Sequence, residues 1–302
     1  MFGLQGNAIM LPSDVSRGRA PKGGRIFFVH DLGDDDHEGS DPEFPLASIT
    51  AALLKCTAAK GDYIFVQHSA DTYYPAVNLN KSSVHLIGLG NGSYGPSVFI
   101  AGGNDDPAIT IGGDSAGVEI AGFNLGSGVA QTDPALILSA DAWYAHIHHN
   151  GFGTAIRALD GILIPAGLSF AFGSIDHNWF SRRLSGWGIN CSGGGSSMTS
   201  SAILHNLLKM ADGLGGVYIQ GGEPEGVSFN IFGIKKGGMI GWAIKLGATV
   251  VDCMVIGNSA CETGDNATGN NPYRDEGPAG VGNKLNFWSA NYRGEAAETP
   301  AD

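Results

Sequence analysis

Three His-Asn pairs recur at intervals of 28 residues, and their imidazole rings are the first candidates for chemistry in this sequence. The histidines of these pairs are His149, His177 and His205. Imidazoles in line can ligate a transition metal, because neutral histidine is a common metal ligand. The interval also fits an architectural repeat in which equivalent rings stack, and the sequence favours this interpretation. The three histidines stay candidates for a binding surface.

Two aspartates placed one repeat apart form a second candidate site. Asp114, in GGDSAG, and Asp141, in SADAW, are separated by 27 residues and share a turn-like context. Glycoside hydrolysis uses two carboxyl groups about 5–10 Å apart, which adjacent repeats can supply. Aspartate is also an ordinary turn residue, so a structural role stands beside the catalytic one.

The acidic segment DDDHEG, residues 34–39, has the spacing that begins a calcium-binding loop. Asp34, Asp36 and Glu38 would be the first ligands, but Pro45 stands where the bidentate Glu of such loops is expected. A solvated acidic loop is the alternative. We expect no cofactor, with Ca²⁺ as the one ion that this segment would hold.

A repeat of 24–28 residues would position these side chains. It is marked by Asn124, Asn150, Asn178, Asn206, Asn230 and Asn258. Short apolar–polar alternations separated by Gly, Asn, Ser or Asp surround these positions, and no helical period runs through them. A period of this length with strands and no helices predicts a parallel β-solenoid with one coil per repeat.

A second column of residues repeats with nearly the same period. It comprises Ile111, Leu138, Ile164, Cys191, Ile219 and Leu246. These apolar side chains are predicted to line the inside of the solenoid, with Ile164 and Phe180 fully buried.

The asparagine column is predicted to be a buried turn ladder. Equivalent residues of a solenoid stack about 4.8 Å apart. Asparagine tolerates the left-handed backbone of a tight turn, and its amide can bond to the next turn. The residues before the asparagines are Phe123, His149, His177, His205, Phe229 and Gly257. We expect most of them to form a stack of flat rings.

Composition limits the class of protein. The chain has 302 residues, 48 of them Gly, and a formal net charge of −12. This charge argues against a nucleic-acid partner, and no run of apolar residues is long enough to span a membrane. The four cysteines lack CxxC spacing and are predicted to be free buried thiols. The first residues lack the features of a signal peptide, so none is expected.

A short helix is predicted near the N-terminus, in ASITAALLKCTAA at 47–59. Ile49, Leu53 and Leu54 have helical spacing, and Gly61 is a plausible stop. The end of a solenoid needs a cap against edge pairing, and this helix is expected to provide it.

Three motifs in this region resemble those of right-handed parallel β-helix proteins of pectate-lyase-like fold. They are PEFPLASITAA (42–52), GDYIFV (61–66) and VHLIGLG (84–90). The resemblance, which covers about 25–262, implies an all-β, single-stranded right-handed parallel β-helix of about eight coils with an N-terminal capping helix. It implies little about activity, since this fold carries lyases, hydrolases, epimerases and phage tailspikes.

The segment SIDHNWFSRR, residues 174–183, is similar to the WIDH segment of pectate lyases. This likeness implies a role for Asp176, with Arg182 or Arg183 as base. Those lyases also use clustered carboxylates, whereas here His148 and Leu204 lie one coil to either side of Asp176. The NTD, GHG and RIK motifs of the family's hydrolases are absent.

The expected organisation is an N-terminal arm (1–24), a capping strand and helix (25–60), the β-helix (61–262) and a C-terminal tail (263–302). With no enzyme motif set and two arms, the leading hypothesis is a phage virion structural protein of tailspike, fibre or capsid-surface type. It would be a homotrimer that joins other virion proteins through its arms, with a surface polysaccharide as a further partner. The alternatives are a polysaccharide lyase or glycoside hydrolase, and a carbohydrate-binding β-helix without catalysis.

Overall fold

Short strands with alternating inward and outward side chains build the walls of an all-β parallel solenoid of about six regular turns, with one short helix. This computed structural model describes residues 23–69, 73–92, 95–103, 106–127, 132–209, 214–235, 242–263, 272–277, 286–293 and 296–298. Strands are numbered in chain order.

Three long parallel sheets form the walls. The ten-stranded sheet contains β1 (Ile26–Val29), β2 (Asp62–Gln67), β4 (Val84–Leu89), β9 (Glu119–Ala121), β13 (His146–His148), β17 (Ser174–Asp176), β21 (Ala202–Leu204), β24 (Gly226–Ser228), β27 (Met254–Ile256) and β30 (Phe287–Ser289). The nine-stranded sheet contains β7 (Val98–Ala101), β10 (Phe123–Gly126), β14 (Gly151–Phe152), β18 (Trp179–Phe180), β22 (Leu207–Leu208), β25 (Ile231–Lys235), β28 (Ser259–Thr263), β31 (Asn291–Arg293) and the antiparallel β32 (Ala296–Glu298).

The remaining strands complete the turns. The eight-stranded sheet contains β3 (Val77–Lys81), β8 (Ile109–Asp114), β11 (Leu136–Leu138), β15 (Ile162–Leu163), β19 (Trp187–Cys191), β23 (Gly215–Gly222), β26 (Ile244–Val250) and β29 (Tyr273–Asp275). A three-stranded sheet of β12 (Ala142–Trp143), β16 (Ser169–Ala171) and β20 (Ser197–Thr199) lies in the middle turns, and β5 (Asn91–Gly92) pairs with β6 (Gly95–Pro96). The regular turns number about six rather than the expected eight, because the cap and the C-terminal segments extend the sheets beyond them.

Helix α1 (Ile49–Lys55) packs against β1, β2 and β3, as expected of a cap. Ser48 is its N-cap, with the side-chain oxygen accepting from the third residue on. Ala52 and Leu53 are buried. Leu54 is exposed, which corrects its predicted place on the apolar face; it lies about a quarter-turn around the helix from Leu53.

The C-terminal end of the helix is held by Lys81 rather than by the predicted stop at Gly61. The Lys81 ammonium donates to the carbonyl oxygens of Leu53 and Cys56, both at 2.7 Å. A cation at this end adds a donor to carbonyl groups of the last turn and complements the negative end of the helix. The helix ends at Lys55, six residues before Gly61.

The interior is the apolar column that the repeat predicted. Ile164 and Phe180 are both completely buried, which confirms the predicted inward register. The Phe180 ring stacks on Phe152 of the preceding turn, with ring centroids 4.7 Å apart. The three cysteines whose side chains are described, Cys56, Cys191 and Cys253, are free and buried.

A buried asparagine ladder runs along one corner, as predicted. Its members are Asn150, Asn178, Asn206, Asn230, Asn258 and Asn291. At each step the backbone N–H and side-chain amide of one asparagine donate to the side-chain oxygen of the next. For Asn178 and Asn206 these distances are 3.0 and 3.1 Å. The amide also donates back to the preceding turn, where Asn178 reaches the carbonyl of Ile147 at 2.9 Å.

The left-handed backbone of this corner belongs to the residue before each asparagine, which corrects the expectation that asparagine adopts it. His149, His177 and His205 each have φ of 54°. The turn is made there, so that the asparagine side chain can point inward. The predicted ring stack is present: His149 and His177 lie 5.1 Å apart, and His205 lies 5.2 Å from His177 and 5.3 Å from Phe229.

The first member of the predicted ladder is misplaced by one residue. Asn124 pairs in register with Gly151 rather than Asn150, and Ile120 rather than Ala121 pairs with Ile147. The glycine at 122 makes the corner with φ of 81°, and the backbone of Phe123 donates to the Asn150 side chain. Phe123 is therefore a buried core residue and lies outside the ring stack.

The solenoid continues beyond residue 262, which corrects the expected boundary of the tail. Strand β30 pairs in parallel with β27, Tyr273 is buried, and Asn291 ends the ladder. The Asn258–Asn291 step spans 33 residues, and this longer spacing hides the repeat in the sequence. Of the predicted N-terminal arm, 1–22 lie outside the described residues. No helix among the described residues is long and apolar enough to cross a membrane.

Candidate functional site

Histidines and carboxylates cluster on the outer face of the ten-stranded sheet. Strand β13 is three residues long, with Ile147 buried and His146 and His148 pointing outward on either side of it. The parallel register places His146 between Glu119 and Ser174, and places Asp176 directly beyond His148. Consecutive turns thus bring polar residues together that lie far apart in sequence.

Glu119 connects two histidines from the turns on either side of it. Its Oε2 lies 2.7 Å from Nδ1 of His85, and its Oε1 lies 2.8 Å from Nε2 of His148. The His85 ring stacks on Tyr63, with centroids 4.2 Å apart. Both oxygens of this carboxylate are therefore engaged, and its position is fixed by three strands.

Asp176 lies two turns beyond Glu119 and also contacts two imidazoles. Its Oδ1 lies 2.8 Å from Nε2 of His146, and its Oδ2 lies 2.8 Å from Nδ1 of His177. The two halves of the cluster are joined by the His146 and His148 rings, which stack with centroids 3.9 Å apart. Nδ1 of His148 also lies 2.8 Å from Nδ1 of His149 at the corner.

Both carboxyl groups are ionised at neutral pH. Burial opposes the charge on Glu119, but hydrogen bonds from His148 and His85 outweigh it and hold the pKa of this carboxyl well below its usual range. At Asp176, burial is likewise outweighed by hydrogen bonds from His146 and His177, which lower the pKa. The cluster therefore consists of two fixed anions flanked by imidazoles.

Exposed aromatic side chains stand at the corner that leads into the histidine strands. Tyr144 and Phe172 stack with ring centroids 5.3 Å apart, and Trp143 lies 6.2 Å from Phe172. Tyr144 and Phe172 have φ of 57° and 55°, a left-handed conformation that costs energy for bulky residues. The corner geometry holds these apolar rings in solvent immediately before the outward histidine and Ser174.

The structure brings three of the predicted site residues together. Asp176, His149 and His177 all belong to the cluster, and His205 continues the ring stack beside it. Arg182 and Arg183 do not belong to it. They are exposed in the turn after β18, on the nine-stranded wall, where Arg183 donates to the carbonyl of residue 155.

Asp141 and Asp34, two of the other acidic residues predicted as site candidates, make contacts typical of a structural role. Asp141 accepts the backbone N–H of Ser169 on the next turn at 2.7 Å, whereas the side chain of Asp114 lies outside the described part of the chain. Asp34 accepts the backbone N–H of Asp36 at 3.0 Å, a local turn contact. Both of these and Glu38 are exposed.

Sequence reasoning missed four members of the cluster: His85, Glu119, His146 and His148. A histidine that faces an acid one turn away is not marked by two residues of the same type recurring at the repeat. The usable signal was the alternation within HIH, which puts two imidazoles on one face, together with the 27-residue offset from Glu119 to His146.

Solved structures with this fold are known, at very low sequence identity. A pectin methylesterase in complex with hexasaccharide VII gives a TM-score of 0.54 at 10% identity, covering 90% of this chain and 90% of that chain. A mutant pectin methylesterase in complex with hexasaccharide IV gives 0.52 at 11% identity, with the same coverage of both chains. No family model and no curated protein matches the sequence. These likenesses establish the pectate-lyase-like parallel β-helix fold and leave the activity open.

Proposed function

We propose that the protein is a polysaccharide-degrading enzyme whose reaction takes place on the outer face of the ten-stranded sheet. The observation that carries this proposal is Asp176, an ionised carboxylate bonded to the imidazoles of His146 and His177. These two rings are 43% and 51% exposed, so each can reach a substrate while its position is fixed by the carboxylate. Imidazoles held in this way are suited to general acid–base catalysis near neutral pH.

The cluster is better suited to a lyase than to a hydrolase. A glycoside hydrolase needs one carboxyl group that stays protonated to serve as acid, whereas the pKa values of Glu119 and Asp176 are both lowered. In a lyase, a base takes the proton beside the carboxylate of a uronic acid, a carbon–carbon double bond forms, and the bond to the departing sugar oxygen breaks. That oxygen then takes up a proton. His177 is proposed as the base, and a water molecule is proposed to supply the proton to the departing oxygen.

The aromatic corner supports a sugar as the ligand. Trp143, Tyr144 and Phe172 are all about half exposed and offer flat apolar faces to solvent. Sugars present apolar C–H faces together with hydroxyl groups, and a site of aromatic faces beside fixed polar groups matches both. The pectin methylesterases of similar fold hold hexasaccharides, which is compatible with an oligosaccharide as ligand here.

The finer expectations from the sequence remain predictions. The right-handed sense of the helix follows from the family resemblance and is retained in this proposal. The virion assignment, the homotrimer and attachment through the arms are tested by none of the comparisons. The polysaccharide-degrading alternative is preferred because it accounts for the cluster on the outer face.

A panel of polysaccharides tests the proposal. Purified full-length protein would be incubated with polygalacturonate, alginate, hyaluronate and a neutral glucan, measuring both new reducing ends and the ultraviolet absorbance of unsaturated uronic acid products. We expect both signals to appear together on at least one acidic polymer. New reducing ends without absorbance would identify a hydrolase, and binding without either signal would overturn the enzymatic proposal.

The Asp176→Asn variant shows whether the cluster is responsible. This change keeps the size of the side chain but removes the charge that fixes the two imidazoles, and we expect kcat to fall by about 10²–10⁴-fold. Asp141→Asn is the matched control, because its carboxylate lies in a neighbouring turn and contacts only backbone. Equal activity in the two variants would place the reaction elsewhere on the molecule.

A further inference from the structure

We propose that Glu119, His146 and His148 form a binding site for one divalent transition-metal ion of the zinc class. This site does not depend on the polysaccharide-degrading function. It rests on the placement of three ligand atoms and on the hydrogen bonds that orient them.

The solenoid places the three side chains on one face. His146 and His148 alternate around the buried Ile147, and Glu119 pairs with His146 across two adjacent parallel strands. One ligand atom from each of the three residues lies within 4.8 Å of the other two. Within the described part of the chain, no other group of histidine, cysteine and acidic side chains meets this condition.

Each of the three side chains has a ligand atom left over after its orienting contact. Nε2 of His146 bonds to Asp176, which leaves Nδ1 as the available ligand atom. Nδ1 of His148 contacts His149, which leaves Nε2.

For Glu119, the contact of Oε2 with His85 leaves Oε1. Metal-binding histidines in proteins characteristically use their second nitrogen in this way, and ligating carboxylates are likewise hydrogen-bonded. The residues that would orient the three ligands, Asp176, His149 and His85, are thus already in contact with them.

Two nitrogens and one carboxylate oxygen select the class of ion. This set suits zinc and neighbouring transition metals, whereas calcium takes six to eight oxygens. Three protein ligands leave at least one position for water or another ligand, as in catalytic rather than structural zinc sites.

Metal binding requires the three ligand atoms, now within 4.8 Å of one another, to approach a common centre. At present the N–H at Nε2 of His148 donates its proton to Oε1 of Glu119 at 2.8 Å. An ion with bonds of about 2.0–2.1 Å to each atom would take the place of this proton. It would increase the distance between the two atoms by a few tenths of an ångström.

The test uses untagged full-length protein freed of metal by a chelator. Titration with Zn²⁺ by calorimetry, and with Co²⁺ by visible absorption, is expected to show one ion bound per chain. Glu119→Gln and His148→Ala are expected to abolish this binding, and Asp176→Asn to weaken it by about 10–100-fold through the orientation of His146. Circular dichroism and thermal unfolding identify any variant that is not folded, and the near-isosteric Glu119→Gln remains informative if His148→Ala is not.

His205→Ala is the matched control, because this histidine lies in the corner stack and contacts none of the three ligands. Its variant is expected to bind one ion with unchanged affinity. The proposal is wrong if the wild-type protein shows no saturable binding, or if Glu119→Gln and His148→Ala bind as the wild type does. Loss of the ion in His205→Ala alone would assign it to the exposed ring stack and would equally overturn the proposal.

Discussion

The asparagine ladder and the outer histidine cluster come from the same turns but differ in their burial and in their bonding partners. Asn178 is buried, and its partners are its own counterparts in the neighbouring turns. His146 and Asp176 are outward, and each is bonded to a residue of a different chemical type. The ladder repeats one residue six times, whereas the column through His146 changes in every turn.

In a solenoid, residues that recur in every turn and residues that change from turn to turn therefore call for different explanations. A residue that recurs in every turn satisfies the same backbone groups each time, so its repetition is explained by stability. Along the outer column the residues are Tyr63, His85, Glu119, His146, Ser174 and Ala202. The repeat itself does not require ionisable residues in this column, and their short run there is the reason for placing the proposed function on this face.

The largest effect on stability is expected for the interior. Ile164→Ala removes a completely buried side chain, and the free energy of unfolding is expected to fall by about 2–5 kcal/mol. Chemical denaturation measures the change. Leu163→Ala, at the half-buried neighbouring position, should cost clearly less. An equal or larger loss at Leu163 would contradict the inward and outward assignment.

The second-largest effect on stability is expected for the asparagine ladder. Asn178→Ala leaves the backbone N–H of Asn150 and the carbonyl of Ile147 without their side-chain partner, at an expected cost of about 1–3 kcal/mol. The adjacent His177→Ala removes a half-exposed stacked ring and its contact with Asp176, and should cost less than the ladder variant, about 1 kcal/mol or below. Thermal unfolding of the two variants side by side tests the comparison directly, and similar losses would mean that the ladder has no special role.

The outer cluster is expected to make the free energy of unfolding depend on pH. The pKa values of Glu119 and Asp176 are lowered by folding, so their stabilising effect is present above the ordinary carboxyl range and is lost as pH falls below about 4. Glu119→Gln should therefore be less stable than the wild type at neutral pH, and the difference should shrink in acid. A difference that stays constant from neutral pH to acid would contradict the lowered pKa of Glu119.

Features that repeat could be predicted from sequence. The column through Ile164 and the asparagines at 150–258 share one period because each turn presents the same wall to the same core. Their burial and stacking follow from that period alone. The left-handed corner was assigned to the wrong residue, because asparagine and histidine both tolerate it and only the inward direction of the amide decides between them.

Features that break the period were missed. Gly122 makes the corner of its turn one residue early, which shifted the alignment of Asn124. The longer spacing from Asn258 to Asn291 conceals the last turn in the sequence, although β30 pairs in parallel with β27. The cluster was missed for a related reason: it has no repeat, and its members meet only because the register pairs Glu119 with His146 and His148 with Asp176.

The asparagine ladder also gives the molecule a direction. At every step the N–H donors belong to the asparagine that comes earlier in the chain and the accepting oxygen belongs to the asparagine of the next turn, so the side-chain amide dipoles align head to tail and polarise one another. Each completed turn presents two N–H donors, and the next turn is held when its asparagine oxygen reaches them. A chain emerging from the ribosome N-terminus first would meet these templates in the order in which it is made, adding one turn at a time to a growing end.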